Sequence, residues 1–178
     1  MLIDLTHTYT DDMPVYPGDP CARLYQTCTH EKDGLADHKI ESCMHVGTHI
    51  DAPLHMIDGG AYISEIPLEQ CEGRGVLIDA RGHKDIDAPL LNDVGIQAGD
   101  IVLVWTGFGS KFRDPSYFEK WPVMTPEFSQ ALVDKNIAMI GMDTAGPDMD
   151  ESFPAHKIFL GQGVLIIENM TNLEALVL

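Results

Sequence analysis

The most constraining feature of the sequence is one short stretch that concentrates side chains able to bind a metal ion or move a proton. His45, His49, Asp51 and His55 fall within eleven residues of a chain that has eight histidines in all. Successive side chains of a β-strand point to opposite faces, so positions 45, 49 and 51 share one face while the intervening apolar and β-branched residues share the other. The pattern predicts a strand with a ligand face.

The spacing of the two histidines imposes a bend on that strand. In an extended strand, positions 49 and 51 lie roughly 6.6 Å apart, whereas positions 45 and 49 lie about 13 Å apart, near the limit for two imidazoles on one ion. Gly47 allows a bend or bulge between them at little cost. A helix would also bring 45 and 49 together, but Gly47, its β-branched neighbours and Pro53 argue against one. We therefore predict a bent strand that ends in a loop near Pro53.

Two imidazoles and a carboxylate form a donor set that suits a borderline divalent cation, Zn²⁺ in preference and Mn²⁺ as an alternative. His55 lies beyond Pro53, off the strand. It can act as a further ligand or as a general acid/base, because an imidazole titrates near neutral pH, and spacing alone does not decide between these roles. Glu168 ends an apolar strand, where a carboxylate is either solvated or paired with a cation.

Composition excludes several classes of function. The chain has 178 residues, with 11 Lys and Arg against 28 Asp and Glu, a net charge of −17 and a pI near 4.5. Without a basic patch, neither nucleic acids nor an anionic membrane surface is an expected partner. The sequence has no apolar run of membrane-spanning length, no signal peptide and no disulfide pattern. We expect a cytoplasmic protein that acts on a small molecule.

The apolar runs predict a mixed α/β fold in a single domain over residues 1–178. Segments 22–30 and 37–52 are predicted as strands of an antiparallel hairpin. The clearest helix begins at Pro126. Helices between buried strands imply a partly parallel sheet beside the antiparallel one. Four apolar runs are typical of buried strands, at residues 75–79, 100–106, 136–143 and 163–168.

The stretch around the histidines also resembles the signature of a known family. It reads His45-Val-Gly-Thr-His49-Ile-Asp51-Ala-Pro-Leu-His55 and is similar to the HxGTHxDxPxH motif of the cyclase family of metal-dependent hydrolases, which includes bacterial kynurenine formamidases and isatin hydrolases. Residues 14–19 resemble the family's PxWPGD segment and residues 140–144 its GxDT segment. His156 and Glu168 resemble its C-terminal ligand pair, so the resemblance runs along nearly the whole chain.

That resemblance carries expectations about fold, ligands and assembly. It implies a swivelling β/β/α fold, with a mixed sheet stacked on an antiparallel sheet and helices outside, and a homodimer or homotetramer. Asp51 would bridge two ions, and His55 would carry the proton. The ligands that the resemblance implies for one or two divalent ions are His45, His49, Asp51, His156 and Glu168.

Two departures from the family pattern bear on the substrate. Tyr16 stands where kynurenine formamidases have Trp, at a position that lines the substrate pocket. Gly146 stands where many relatives have the Ser of a DTxSxD segment. Both changes leave the expected metal ligands in place, so they affect which substrate the protein takes.

The sequence favours a metal-dependent hydrolase of a small-molecule amide, either an arylformamide or a cyclic amide. The ion would lower the pKa of a bound water and polarise the carbonyl, and the resulting hydroxide would attack the carbonyl carbon. His55 would take the water proton and return it to the leaving nitrogen. Two alternatives stay open: a non-catalytic protein that binds a metal or a metabolite, and a family enzyme that acts on an ester or lactone. A purely structural site does not require His55, which argues against the first.

Overall fold

The computed structural model describes residues 2–177, so the two ends of the predicted domain, Met1 and Leu178, lie outside the description. In chain order its strands are β1 (Arg23–Cys28), β2 (Asp37–Glu41), β3 (His49–Asp51), β4 (Gly75–Asp79), β5 (Asp85–Ile86), β6 (Ile101–Trp105), β7 (Val123–Met124), β8 (Met139–Met142) and β9 (Leu165–Glu168). Its α-helices are α1 (His30–Asp33), α2 (Pro126–Val133) and α3 (Pro154–Gly161). Short 3₁₀ helices cover Pro53–His55, Ile63–Glu65, Leu68–Cys71, Ala88–Leu91, Phe108–Lys111 and Leu173–Leu176.

The main sheet is mixed and has the strand order β3-β9-β8-β6-β4. Strands β9, β8, β6 and β4 run parallel, and β3 pairs with β9 antiparallel at one edge. The four parallel strands fall within the four apolar runs of the sequence, which confirms them as strands. Strands β6, β8 and β9 are largely buried, as predicted, whereas β4 at the edge of the sheet buries only Ile78. The predicted α/β class with a mixed sheet and an antiparallel sheet is also confirmed, although the antiparallel sheet is small.

That antiparallel sheet is the hairpin of β1 and β2, with the short helix α1 between its strands. The prediction of one strand over residues 37–52 was wrong. Strand β2 ends at Glu41, residues 44–48 bend, and pairing resumes only at His49. The cause is Gly47, whose φ of +68° lies in the left-handed region and interrupts extended backbone. A further pair, β5 with β7, is parallel and two residues long.

Both long helices pack on one face of the main sheet. The sheet side chains Val104, Ile140 and Ile166 meet Phe128 of α2 and Phe159 of α3 in one apolar cluster, and all five are fully buried. Burial of each such side chain contributes about 1.5–3 kcal/mol relative to leaving it in water. This packing fixes α3, and therefore His156, above strand β9, next to the edge strand β3.

Helix α2 begins as its sequence predicts. Pro126 takes the first helical position, and the hydroxyl of Thr125 accepts a hydrogen bond from the Phe128 amide. Helix α3 was not predicted, although Pro154 also occupies its first turn. Among residues 2–177, no helix combines the length and the hydrophobicity needed to cross a membrane.

Candidate metal centre

Strands β3 and β9 bring three of the predicted ligands onto one face of the sheet. His49 lies directly opposite Glu168 in the antiparallel register, so their side chains project to the same side. The His49 Nε2 atom is 3.4 Å from Glu168 Oε2 and 3.3 Å from Asp51 Oδ1. Asp51 is two residues along β3 and therefore faces the same way as His49. The edge of the sheet thus builds half of the site.

The bend at Gly47 returns His45 to the same point, as the spacing argument required. His45 Nδ1 lies 3.0 Å from His49 Nε2 and 2.9 Å from Asp51 Oδ1. The Nδ1 atom of His49 donates to the Gly47 carbonyl at 2.9 Å, and a carbonyl can only accept, so Nδ1 carries the hydrogen. The lone pair of His49 Nε2 then faces the two carboxylates, which is the tautomer that a metal ligand needs.

His156 reaches the same centre from α3. Its Nε2 atom is 3.1 Å from Glu168 Oε1, while its Nδ1 atom donates to Asp148 Oδ2 at 2.8 Å. The Asp148 carboxylate also accepts from the backbone amides of Ala155 and His156, at 3.0 and 2.9 Å. Asp148 therefore holds both the first turn of α3 and the ring that this turn presents.

Asp51 carries the strongest indication of a bound cation. Its side chain is 1% exposed. The His45 and His49 rings lie 2.9 and 3.3 Å from Oδ1, but neither carboxylate oxygen accepts a hydrogen bond of regular geometry from any residue within 2–177. A buried carboxylate without hydrogen bonds is costly unless a cation compensates it. Ligand atoms around a tetrahedral zinc ion lie about 3.3 Å apart, close to the spacings between these side chains. The donor set fits a divalent cation.

The possible ligand atoms form two overlapping groups that share Asp51. In each group, one ligand atom per residue lies within 4.8 Å of the others, with His45 and His55 joining Asp51 in one and His49 and Glu168 in the other. Asp51 thus lies between both groups, as a bridging ligand would. His55 is close enough to serve as a ligand, so its two predicted roles both stay open.

His55 lies in the 3₁₀ turn Pro53–His55. The centroid of its ring is 4.0 Å from that of His45 and 5.9 Å from that of His156. Partial burial lowers the pKa of His55 to about 4; the charge of Asp51 opposes this effect, and His45 and His156 add to it. The imidazole is therefore neutral at neutral pH and keeps a free lone pair, while the lowered pKa makes it a weaker base than an ordinary imidazole.

The pKa values of Asp51 and His156 are set by the charged groups that contact them. Burial raises the pKa of Asp51, but its contacts with His45 and His49 outweigh burial and hold the pKa well below its usual range. Burial lowers the pKa of His156, but its bonds to Asp148 and Glu168 raise it to about 9. A metal-free site therefore holds a proton on His156, in a position where a cation could replace it.

A pocket of about 280 Å³ opens beside these residues. His45, His55, His156 and Glu168 line its inner part, and Tyr16 lines it from the loop that the sequence predicted. The Tyr16 ring meets Phe118 edge-on, with ring centroids 5.8 Å apart. Loop 12–20 thus contributes to the pocket of its own chain.

Sequence reasoning missed several residues around the site. Asp148 lies in the segment that was compared with DTxSxD, but its bond to His156 depends on tertiary contacts. Trp121 lines the pocket and donates from Nε1 to the Gly146 carbonyl at 2.8 Å. A Cβ atom at position 146 would lie 2.8 Å from Glu168 Oε1, so Gly146 leaves space beside that carboxylate.

Comparison with known proteins agrees with this geometry. The Cyclase family model matches residues 3–149, which is most of the chain. The chain belongs to the Cyclase family. A relative in this family, the kynurenine formamidase of Bacillus cytotoxicus, is 26% identical over 174 residues, which cover 94% of this chain and 81% of that protein.

Solved structures of similar proteins confirm the fold. A potential metal-dependent hydrolase with cyclase activity is 34% identical, with a TM-score of 0.79, over 96% of this chain and 81% of that one. Isatin hydrolase A from Labrenzia aggregata, bound to benzyl benzoate, is 27% identical with a TM-score of 0.86, over 97% of this chain and 81% of that one. The family's named relatives are thus hydrolases, and the predicted resemblance is confirmed.

Proposed function

We propose that this Cyclase-family chain is a metal-dependent hydrolase of a small-molecule amide, either an arylformamide or a cyclic amide. The observation that carries the proposal is the buried carboxylate of Asp51, which faces His45 and His49 beside the pocket and accepts no hydrogen bond of regular geometry from the described part of the chain. The relatives named kynurenine formamidase and isatin hydrolase support the two amide classes.

The proposed cofactor is one or two divalent cations per chain, Zn²⁺ in preference to Mn²⁺. When bound, such an ion supplies Lewis acidity, which polarises a carbonyl and lowers the pKa of water. Asp51, shared between the two groups of donors, would bridge two ions if both bind. The side chains that would hold the cation are His45, His49, Asp51, His156 and Glu168.

His55 is the proposed general acid/base. It lies between the ligand cluster and the pocket, and its lowered pKa keeps the imidazole neutral at neutral pH. It can therefore take a proton from an attacking water and return it to the leaving nitrogen. Tyr16 and Phe118, which line the pocket, would hold the aryl group so that the carbonyl points toward the ligand cluster.

Hydrolysis of N-formylkynurenine and isatin tests the proposal. We expect no turnover by the metal-stripped protein and turnover of at least one amide when Zn²⁺ or Mn²⁺ is added back. Stoichiometric metal without turnover of either amide would contradict the proposal and favour a metal-binding protein. Turnover of the matching aryl ester or lactone, without turnover of either amide, would indicate an esterase or lactonase.

The role of His55 has its own test. The His55→Ala protein should still bind metal, because five other ligands are present, while kcat falls by about 10²- to 10⁴-fold. His38→Ala is the control, because His38 is an exposed residue of β2 outside the pocket. A kcat that does not change in His55→Ala would contradict the proton-transfer role, and loss of the metal would make His55 a ligand.

A further inference from the structure

The pocket beside the candidate metal centre has a one-sided distribution of charge. Four carboxylates line it, those of Asp19, Asp148, Glu151 and Glu168, whereas none of the lining residues within 2–177 is Lys or Arg. Asp148 and Glu168 are engaged with His156. Asp19 and Glu151 are exposed and remain available to a ligand.

The walls of the same pocket are aromatic. Trp121 and Phe153 line it together with Tyr16 and Phe118. The hydrogen bond from Trp121 Nε1 to the Gly146 carbonyl fixes the orientation of the indole ring. Aromatic rings combined with carboxylates provide the environment in which proteins bind ammonium groups, through the ring quadrupole and through direct charge attraction. They also stack on an aryl ring.

We propose that the pocket selects aryl amides that carry an ammonium group and disfavours those that carry a carboxylate, with Asp19 and Glu151 as the residues that determine this specificity. The inference rests on the proposed amide hydrolysis, because it names the class of substrate for that site. The carbonyl would lie at the ligand cluster, the aryl ring between the aromatic walls, and the ammonium group at the two carboxylates.

The lysines of a neighbouring depression do not offer a matching site for an anion. Lys84 and Lys120 line this depression, which shares Trp121, Asp148 and Met149 with the pocket. Asp85 and Asp150 line that depression as well, so their negative charges offset the two ammonium groups. The net charge of −17 also disfavours the approach of anions at low ionic strength.

Three substrates that share the same scissile formamide bond separate the effect of substrate charge from the effect of reactivity. Formanilide is neutral, 4-(aminomethyl)formanilide carries an ammonium group, and (4-formamidophenyl)acetate carries a carboxylate. In both charged compounds a methylene separates the charge from the ring. For the metal-loaded protein we expect kcat/KM to be about tenfold higher for the cation than for the anion, and the difference to shrink as salt is added. Equal values, or a preference for the anion, would overturn the inference.

A double variant tests the two residues directly. Asp19→Asn with Glu151→Gln should lower the ratio of kcat/KM for the cationic substrate to kcat/KM for formanilide by about tenfold, through a higher KM for the cation. The control is Glu69→Gln with Glu72→Gln, which changes the net charge equally at exposed positions outside the pocket. If the control lowers the preference for the cation as much as the pocket variant does, overall charge and not the pocket is responsible.

Formanilide distinguishes failure of this inference from failure of the proposed function. If the metal-loaded protein hydrolyses formanilide without preferring the cation, the proposed function holds and the inference fails. If it does not hydrolyse formanilide, the inference is decided by the affinity for benzylammonium, which calorimetry measures. Affinity that falls in the Asp19→Asn, Glu151→Gln variant supports the ammonium site, and unchanged affinity overturns it.

Discussion

Asp148 contacts one of the proposed ligands from outside the ligand cluster. It accepts a hydrogen bond from His156 Nδ1 and two more from the first turn of α3. With Nδ1 bonded to Asp148, Nε2 is the ring atom that faces Glu168 and would bind a cation once its proton leaves, and the charge of Asp148 makes the ring a better donor. Asp148 is therefore a positioning residue for His156.

The Asp148→Asn substitution should weaken zinc binding by about 10- to 100-fold, because an amide cannot stabilise the imidazole as a carboxylate does. In the metal-free protein, the pKa of His156, raised to about 9 with Asp148 present, should fall toward its ordinary value. Competition with a chelator measures the affinity, and NMR titration measures the pKa. The control is Asp150→Asn, which removes an exposed carboxylate that accepts a hydrogen bond from the Ser152 amide. Unchanged affinity and pKa in Asp148→Asn would contradict the positioning role.

At the residue scale, sequence spacing predicted the part of the site that is local in the chain. His45, His49 and Asp51 lie within seven residues, and a single bend brings them together. His156 came from the resemblance, and Glu168 from the resemblance and from its place at the end of an apolar strand, where solvation and a cation were both open. Spacing could not join them to His49, because helix α3 and strand β9 bring them to β3 from far along the chain. Asp148 has no local pattern at all, since its role depends on how α3 packs.

The bend over residues 44–48 depends on Gly47. Its φ is +68°, and a Cβ atom there would lie 2.6 Å from Met13 Cε. We expect Gly47→Ala to lose about 1–2 kcal/mol of unfolding free energy from the backbone alone. Because His45 and His49 flank the bend, zinc affinity should fall as well.

The matched control for Gly47 is Gly34→Ala. Gly34 has a φ of +75° at the end of α1, with open space where a Cβ atom would lie. In urea unfolding, Gly34→Ala should lose a similar amount of unfolding free energy from the backbone, while its zinc affinity stays unchanged. Equal zinc affinity in the two variants would contradict the proposed role of the bend.

At the element scale, continuous apolar runs predicted β4, β6, β8 and β9. Strands covered on both faces, such as β6, β8 and β9, have no polar side to interrupt the run, whereas β4 is an edge strand that buries only Ile78. The alternating pattern of residues 37–52 predicted too long a strand, since alternation continues through the bend although pairing does not. Helix α3 was missed although it has eight residues like α2, because Phe153 precedes it and offers no capping side chain, whereas Thr125 caps α2.

The hairpin bears on the assembly of the whole molecule. Every residue of β2 is exposed, and Ile40 and Met44 keep 58% and 81% of their surfaces in solvent. A two-stranded hairpin is only marginally stable by itself, so a second copy that covers it would stabilise it. We propose a homodimer or homotetramer. Sedimentation equilibrium should then give two or four times 19.6 kDa, and a particle of 19.6 kDa would contradict the proposal.

The central claim is that Asp51 and its neighbours bind a divalent cation. Calorimetric titration of the metal-stripped protein with Zn²⁺ tests it most directly, using wild type, Asp51→Asn and the control Asp58→Asn, which makes the same change at an exposed turn of the same segment. We predict that wild type and Asp58→Asn bind one or two ions per chain and that Asp51→Asn loses this binding. Full zinc occupancy with unchanged affinity in Asp51→Asn would contradict the claim.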